Sequence, residues 1–428
     1  MNNTRRGPLT GIRVVEYGVW HAGPGAGAIL GDMGADVVKI EMPGGDPERA
    51  NGGVGPLAGK TPGDPDDWGI LFEFSNRNKR DISLDITTEG GRTVFEDIVR
   101  SADVFISNLR GSTRRTLGID YEALKEIAAD IVYVNVSAFG DTGPQANDGG
   151  FEPVGQAMSG MMYLAGAAEP KLLTVLVLDQ MTAITASYAA LAALIERGQT
   201  GEGQEVVTSL LGSAMWLTGM NLFATSVSNE SLDVKWDRMA ASATRTSYEC
   251  RDGKWIIGSH YPPDKFWPIL CRVLDREDLL EDPRFTTNQM RIENNDELMP
   301  MLDTVFRERD REEWLKLLSE AGLLFAPVYS MLDAVNSEQA ALNGYMQPIH
   351  HRRLGDVRVP GFPIRFGGRT VGPVLPSPEI GEHTIEILGE LGYDDVRIAK
   401  LVGDGSVLQG AGTWVAETPH ADSSPLRR

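Results

Sequence analysis

Cysteine is nearly absent: Cys250 and Cys271 are the only two in 428 residues. That excludes a disulfide framework and a thiolate zinc site. Histidine is scarce as well. The six (His21, His260, His350, His351, His383 and His420) contain no His-Glu-x-x-His spacing, and the pair His350-His351 alone makes no site, so no metal centre is expected. Positive charge is in deficit, with 40 Lys and Arg against 60 Asp and Glu and a net charge of −20. General binding to nucleic acid or to an anionic membrane is therefore disfavoured. No apolar run reaches transmembrane length, and the opening Met-Asn-Asn-Thr-Arg-Arg-Gly-Pro lacks an apolar signal core. The expectation is a reduced, soluble, cytoplasmic protein.

What is present is length enough for two domains and ample apolar content for a core. A polyanionic ligand would need a local basic patch on this acidic chain. Two clusters qualify, Arg77, Lys79, Arg80 and Arg110, Arg114, Arg115, each of which reads equally well as a solvated surface. Strand-like runs at Ile12–Tyr17, Asp36–Glu41, Asp103–Ser107 and Asp130–Ser137 alternate with helix-like stretches near Gly25–Met33, Glu89–Arg100 and Tyr121–Ala129. This alternation predicts a mostly parallel sheet covered on both faces. Residues 43–68 interrupt it with seven Gly and five Pro, either a ligand-covering loop or disorder. A second helical run is expected near Val206–Phe223, and a polar connector around Val227–Thr244. A hairpin follows about Asp252-Gly253, then helices at Asp264–Val273, Asn295–Arg307, Arg311–Ala321 and His383–Leu391. The tail from Gly403 is expected to be loosely ordered.

The turn Gly23-Pro24-Gly25-Ala26-Gly27, with Glu41 ending the next strand, invites a dinucleotide-binding reading. The spacing fails it. Gly25, Gly27 and Gly31 give G-x-G-x-x-x-G, and Gly25 stands eight positions after Tyr17 where the turn should be immediate. A Gly-rich strand-to-helix turn at the carboxyl edge of a parallel sheet remains a common ligand position.

Asp179 opens the alanine-rich stretch Gln180–Arg197. Read alone, an Asp there is a helix N-cap. The amides that would serve a cap would also stabilise negative charge on a bound acyl group.

Several segments in order carry a more specific message. Leu9-Thr-Gly-Ile-Arg-Val-Val-Glu-Tyr17, Ala22-Gly23-Pro24, Leu30-Gly-Asp-Met-Gly34-Ala-Asp36 and Asn76-Arg-Asn-Lys-Arg80-Asp-Ile-Ser-Leu84-Asp85 come first. Asp103–Arg110, Gly155-Gln-Ala-Met-Ser-Gly160, Asp179, Arg197-Gly-Gln-Thr-Gly201-Glu-Gly203-Gln204, Asp282-Pro-Arg-Phe285 and Gly381-Glu-His-Thr384 follow. Together, across residues 9–402, they resemble the class III CoA-transferases (CaiB/BaiF type), the family of formyl-CoA and carnitine CoA-transferases.

The resemblance implies an α/β fold: a large Rossmann-like parallel-sheet domain from both chain ends, a smaller α+β middle domain, and an interlocked homodimer. Its boundaries are expected at 1–225, 226–330 and 331–428. It implies CoA transfer from an acyl-CoA to a carboxylic acid, with no permanently bound cofactor and coenzyme A as substrate. Asp179 would be the acylated nucleophile and Glu152 the carboxylate beside it. His21-Ala22 would lie at the pantetheine end and Leu84-Asp85-Ile86-Thr87 at the nucleotide end, with Asn108-Leu109-Arg110, Phe151, Met42 and Arg115 as further CoA contacts.

The chain also departs from the pattern. Thr116 stands where relatives carry a cation, with Arg115 one step early. Gly149 replaces a lysine, Met42 an arginine, and His21 a glutamine of some relatives. The glycine-rich loop of formyl-CoA transferase is missing between residues 225 and 260, which disfavours oxalate and formate. Trp236 and Tyr261 are candidates for lining an acid pocket. An α-methylacyl-CoA racemase would need a histidine where Phe151 stands. An intramolecular acyl-CoA isomerase would keep the same nucleophile, and a CoA-binding regulatory protein would be expected to have lost it.

Overall fold

In the computed structural model the described residues are 7–50, 69–164, 169–231, 237–352 and 354–410. Residues 51–68 of the Gly/Pro-rich break, Trp236, part of the connector before Thr244 and the tail beyond Gly410 lie outside them. The chain divides into two compact units. One comprises Met1–Met162, Leu172–Ser231 and Ala341–Arg428; the other comprises Tyr163–Lys171 and Leu232–Ala340.

The first unit is organised on strands β1 (Arg13–Glu16), β2 (Asp36–Glu41), β3 (Lys79–Leu84), β4 (Val104–Ser107), β5 (Val132–Ser137) and β6 (Gln204–Ser209). They run parallel in the order β3-β2-β1-β4-β5-β6, and a short strand, Val407–Leu408, lies antiparallel against β3. Helices α1 (Ala22–Asp32), α2 (Ile70–Asn76), α3 (Glu89–Arg100), α4 (Gly111–Leu117), α5 (Tyr121–Ile127), α6 (Glu152–Met158), α7 (Val177–Thr200) and α8 (Leu210–Leu217) connect them. One core unites α1 and α7 with Val14, Val37, Ile106 and Val134; the other unites α3 with Val15, Ile40, Phe105 and Tyr133. The sheet is therefore buried on both sides, as parallel sheets are. The mixed α/β class and the large parallel sheet agree with the sequence reading.

Four readings need correction. Residues 204–209 form an edge strand where helical periodicity suggested a run from Val206; α8 starts only at Leu210, where the Ser209 hydroxyl accepts from the Gly212 amide. The start of the tail is ordered: Val407 pairs with Leu84 and Leu408 with Ser83. The basic cluster Arg77, Lys79, Arg80 is not an open patch. Arg77 pairs with Asp32, Lys79 with Glu16, and Arg80 with Asp36, Glu386 and Glu390. Lastly, α7, at 24 residues, is long and apolar enough to cross a membrane by length and composition alone. In this fold it is a core helix, with Leu178, Ala183, Ala186, Ala190 and Ala193 buried in the first core.

The glycines of the dinucleotide-like turn have a packing role. A Cβ at Gly25 would stand 2.9 Å from Ala183 Cβ. A Cβ at Gly27 would meet Glu16 Oε2. Glycine here lets α1, buried along its whole length, press on α7 and on a buried charge network.

The second unit holds an antiparallel sheet of Ser247–Glu249, Trp255–Gly258 and Phe325–Val328. The Asp252-Gly253 hairpin joins the first two strands, with Gly253 at φ +70°. Helices Pro263–Val273, Asn295–Phe306 and Arg311–Glu320 supply a core with Trp267, Phe306 and Trp314.

Candidate active site

The strand order reverses direction between β1 and β4. In open α/β sheets the crevice at such a point, beyond the carboxyl ends of the strands, is where ligands bind. A cavity of about 510 Å³ lies there, lined by Val19, Trp20 and Ala22 after β1, Asn108 to Gly111 after β4, Phe151, and Asp179. Asn108 ties the two strand ends together: its Oδ1 accepts from the Val19 amide at 2.9 Å and its Nδ2 donates to the Val19 carbonyl at 2.6 Å. A Cβ at Gly18 would approach Asn108 Oδ1 to 2.7 Å, so glycine is required beside this clasp. Trp20 has φ +63°, a left-handed conformation that a bulky residue adopts only under constraint. Its amide donates to Asp46, and its ring meets Phe151 edge-on at 5.7 Å.

Beneath this wall lies buried charge. Lys39 is held by Glu16 and Asp46 at 3.0 Å each and donates to the Gly18 carbonyl. Lys79 donates to the Pro24 carbonyl. Both ammonium groups thus brace the β1–α1 connection from inside.

Asp179 is not a cap. The helix starts two residues earlier, with Leu176 as its N-cap and no side-chain cap bond. The cap comes from another helix: Glu152 Oε2, buried at the start of α6, accepts from the amides of both Leu178 and Asp179 at 2.8 Å. The Val177 amide donates to Val175 and that of Gln180 to Leu176. The amides of Val177, Leu178, Asp179 and Gln180 are thereby used, and the expectation that they hold an acyl oxygen is overturned. Gln156 orients the cap. Its Nε2 donates to Glu152 Oε1 at 2.6 Å and to the Leu173 carbonyl, while its Oε1 accepts from the Leu173 amide. Gly155 lets the two helices meet, since a Cβ would lie 2.9 Å from Leu178 Cδ1.

The Asp179 carboxylate itself accepts no hydrogen bond among the described residues. Burial, and then the charge of Glu152, push its pKa up to about 7. A half-buried carboxylate that is poorly solvated, unpartnered and repelled by a neighbour is primed to react rather than to stabilise.

Of the residues expected in the site, Ala22, Asn108, Leu109, Arg110, Phe151 and Asp179 line the one cavity. Glu152 stands directly behind. Arg115 lies outside the lining and donates to Asn147 Oδ1 at 3.3 Å. His21 is buried and bonded to Gln180 and Ser75, so its side chain is committed to protein partners. Met42 and Leu84 to Thr87 do not line this cavity; Met42 follows β2, and Leu84 ends β3 with Asp85 to Thr87 after it, on the same carboxyl edge. Tyr261 belongs to the second unit and is exposed.

Residues 9–384 match the profile described as CoA-transferase family III. The chain belongs to this family. A CoA-transferase of this kind is thus an enzyme whose cleft must take a CoA thioester and a carboxylic acid. The chain is 32% identical to "Acyl-CoA transferase" of Fusarium pseudograminearum, over 95% of this chain and 89% of that protein. It is 30% identical to human "Succinyl-CoA:glutarate CoA-transferase", over 96% and 91% respectively. Among solved structures, a CAIB/BAIF family protein from Brucella suis superposes with a TM-score of 0.80 at 30% identity, covering 90% of this chain and 99% of that one.

Two site residues escaped the sequence reading. Gln156 lay inside a quoted motif without a role, and Gln180 followed Asp179 with no local signal. Gly149, noted only as a lost lysine, has a physical function. The Arg110 guanidinium lies over its Cα, so that a Cβ would collide with Nη2. Among the described residues Arg110 has no ion-pair partner, and it lines the cavity. Gly149→Ala is expected to displace this guanidinium and raise KM for the acyl-CoA by about tenfold, with kcat within about twofold, in steady-state assays.

Proposed function

We propose that this CoA-transferase works through transient acylation of Asp179. The ionised Asp179 oxygen attacks the thioester carbonyl, the C–S bond breaks, and CoA leaves as thiolate, giving an acyl–aspartyl anhydride. The incoming carboxylate attacks the aspartyl carbonyl and displaces the first acid. The thiolate then attacks the new acyl carbonyl, which releases the new thioester and regenerates the Asp179 carboxylate. Splitting one hard transfer into such halves is the logic of covalent catalysis, and no proton is gained or lost overall. The observation that carries this reading is the unpartnered carboxylate, raised to about 7, in the cleft at the sheet's switch point.

On the same reading, coenzyme A lies along the carboxyl edge, from Leu84–Thr87 past Met42 to Asn108–Arg110. Three strand spacings of about 4.8 Å separate β3 from β4, roughly 14 Å in all. The amides of Ala22 and Gly23 have no hydrogen-bond acceptor among the described residues, which leaves them as donors where α1 meets the cleft. Incubating the enzyme with acyl-CoA and hydroxylamine should leave a hydroxamate on Asp179, read by peptide mass spectrometry. A label at another residue, or none, would remove the proposal.

We further propose that the enzyme acts as an interlocked homodimer, as the family resemblance implies. In support, the helix Gly219–Ser228 has no buried residue, and Met220, Phe223 and Val227 on it are 89%, 72% and 73% exposed, next to Trp216 at 74%. Apolar exposure of that extent marks an interaction face. Light scattering should read twice the chain mass, and Phe223→Lys with Val227→Lys should lower it; a fully active monomer would contradict the proposal.

A further inference from the structure

With the Val177, Leu178, Asp179 and Gln180 amides engaged, the nearest further donor on α7 is a side chain. Gln180 is the adjacent residue. Its Oε1 lies 2.8 Å from His21 Nε2, and His21 Nδ1 lies 2.7 Å from Ser75 Oγ. The imidazole is stacked on Phe74, 5.8 Å between centroids and 8° from parallel, so its plane is set. Burial lowers His21 to about 4; at neutral pH the ring carries one proton. A neutral ring facing an amide oxygen carries that proton on Nε2, and Nδ1 then faces the Ser75 hydroxyl, whose proton is shared between the ring and the Leu71 carbonyl at 2.9 Å. The Nε2 proton of His21 thus points toward Gln180 Oε1. The Gln180 amide nitrogen is left without a partner among the described residues and is not sealed from solvent.

We propose that Ser75 and His21 fix the Gln180 side-chain amide as a hydrogen-bond donor to the oxyanion formed when Asp179 attacks the thioester. The proposal rests on Asp179 being the nucleophile. It assigns Gln180 to the reacting atoms and makes His21 and Ser75 positioning residues, in place of the pantetheine contact that the resemblance gave the His21 side chain. Losing one such donor typically costs about 10²-fold in rate.

The test compares Gln180→Leu, His21→Leu, His21→Gln and the double variant Gln180→Leu/His21→Leu. Gln180→Leu should lower kcat about 10²-fold with KM for acyl-CoA within about threefold of the parent. His21→Leu should fall comparably, and the double variant should fall no further than the worse single one, because the two act as one unit. His21→Gln, whose amide can donate to Gln180 Oε1 in place of the ring, should recover kcat to within about tenfold of the parent. Equal kcat in Gln180→Leu and the parent, or losses that multiply in the double variant, would overturn the proposal. Melting curves report whether His21→Leu folds; if it does not, the partly exposed Gln180→Leu decides alone. Hydroxamate trapping on the parent separates the two readings, since its absence defeats the nucleophile itself rather than the role of Gln180.

Discussion

Asp179→Asn is expected to lose roughly 10⁴-fold or more in kcat while melting at or above the parent temperature. The first half follows from chemistry: a carboxamide oxygen is too weak a nucleophile to take an acyl group from sulfur, and no second carboxylate lines the cleft beside it with the same freedom. Asp141 and Asp148 also line the cavity, but both are exposed to solvent. The second half follows from linkage. In the folded protein Asp179 holds its proton up to about pH 7, against an ordinary value of 3.8. Between those limits the folded state binds more protons than the unfolded one, so stability from this group falls as pH rises through the window. Asparagine removes that slope. Differential scanning calorimetry at pH 5 and pH 8 should show the variant gaining on the parent at the higher pH. A variant that lost activity by unfolding would show the opposite.

The strands Ile12–Tyr17, Asp36–Glu41, Asp103–Ser107 and Asp130–Ser137 were legible because each is a β-branched run buried on both faces. β3 was not, for a physical reason. Lys79, Arg80 and Asp81 are buried, yet their sequence reads as a charged surface. Their partners, Glu16, Asp36 and Gly381, come from positions up to 300 residues distant. Charge pairing replaces apolar periodicity there, and no local pattern carries it. β6, with burial alternating along an exposed edge, lacks the apolar run that marked its neighbours.

The candidate site shows the same division. Asp179 and Glu152 could be named from sequence because each sits in a recognisable motif. What Glu152 does could not, since capping of α7 by α6 links residues 26 and 27 positions apart. The pairing of His21 with Gln180 spans 159 positions, and that of Arg110 with Gly149 appears only as space where a side chain is missing. Motifs locate chemistry; the contacts that tune it belong to the fold.

Glu152 provides the sharpest separation of tuning from scaffolding. Glu152→Gln keeps a carbonyl oxygen for the Leu178 and Asp179 amides but removes the charge that is the second cause, after burial, of the raised Asp179 pKa. The acid limb of kcat/KM, which in the parent should rise through about pH 7 as Asp179 ionises, should therefore move to lower pH without vanishing. More Asp179 is then ionised below pH 7, but the carboxylate is less basic, and the plateau rate should fall. Glu152→Ala removes the acceptor too. Two amides are left unpaired, which costs about 1–3 kcal/mol each, and the first turn that aims Asp179 loosens, so kcat should drop by about 10²-fold or more. If the two variants share one unshifted pH profile and differ only in stability, Glu152 is a cap alone. If Glu152→Gln shifts the profile while its melting point stays near the parent's, the charge of Glu152 sets the reactivity of Asp179.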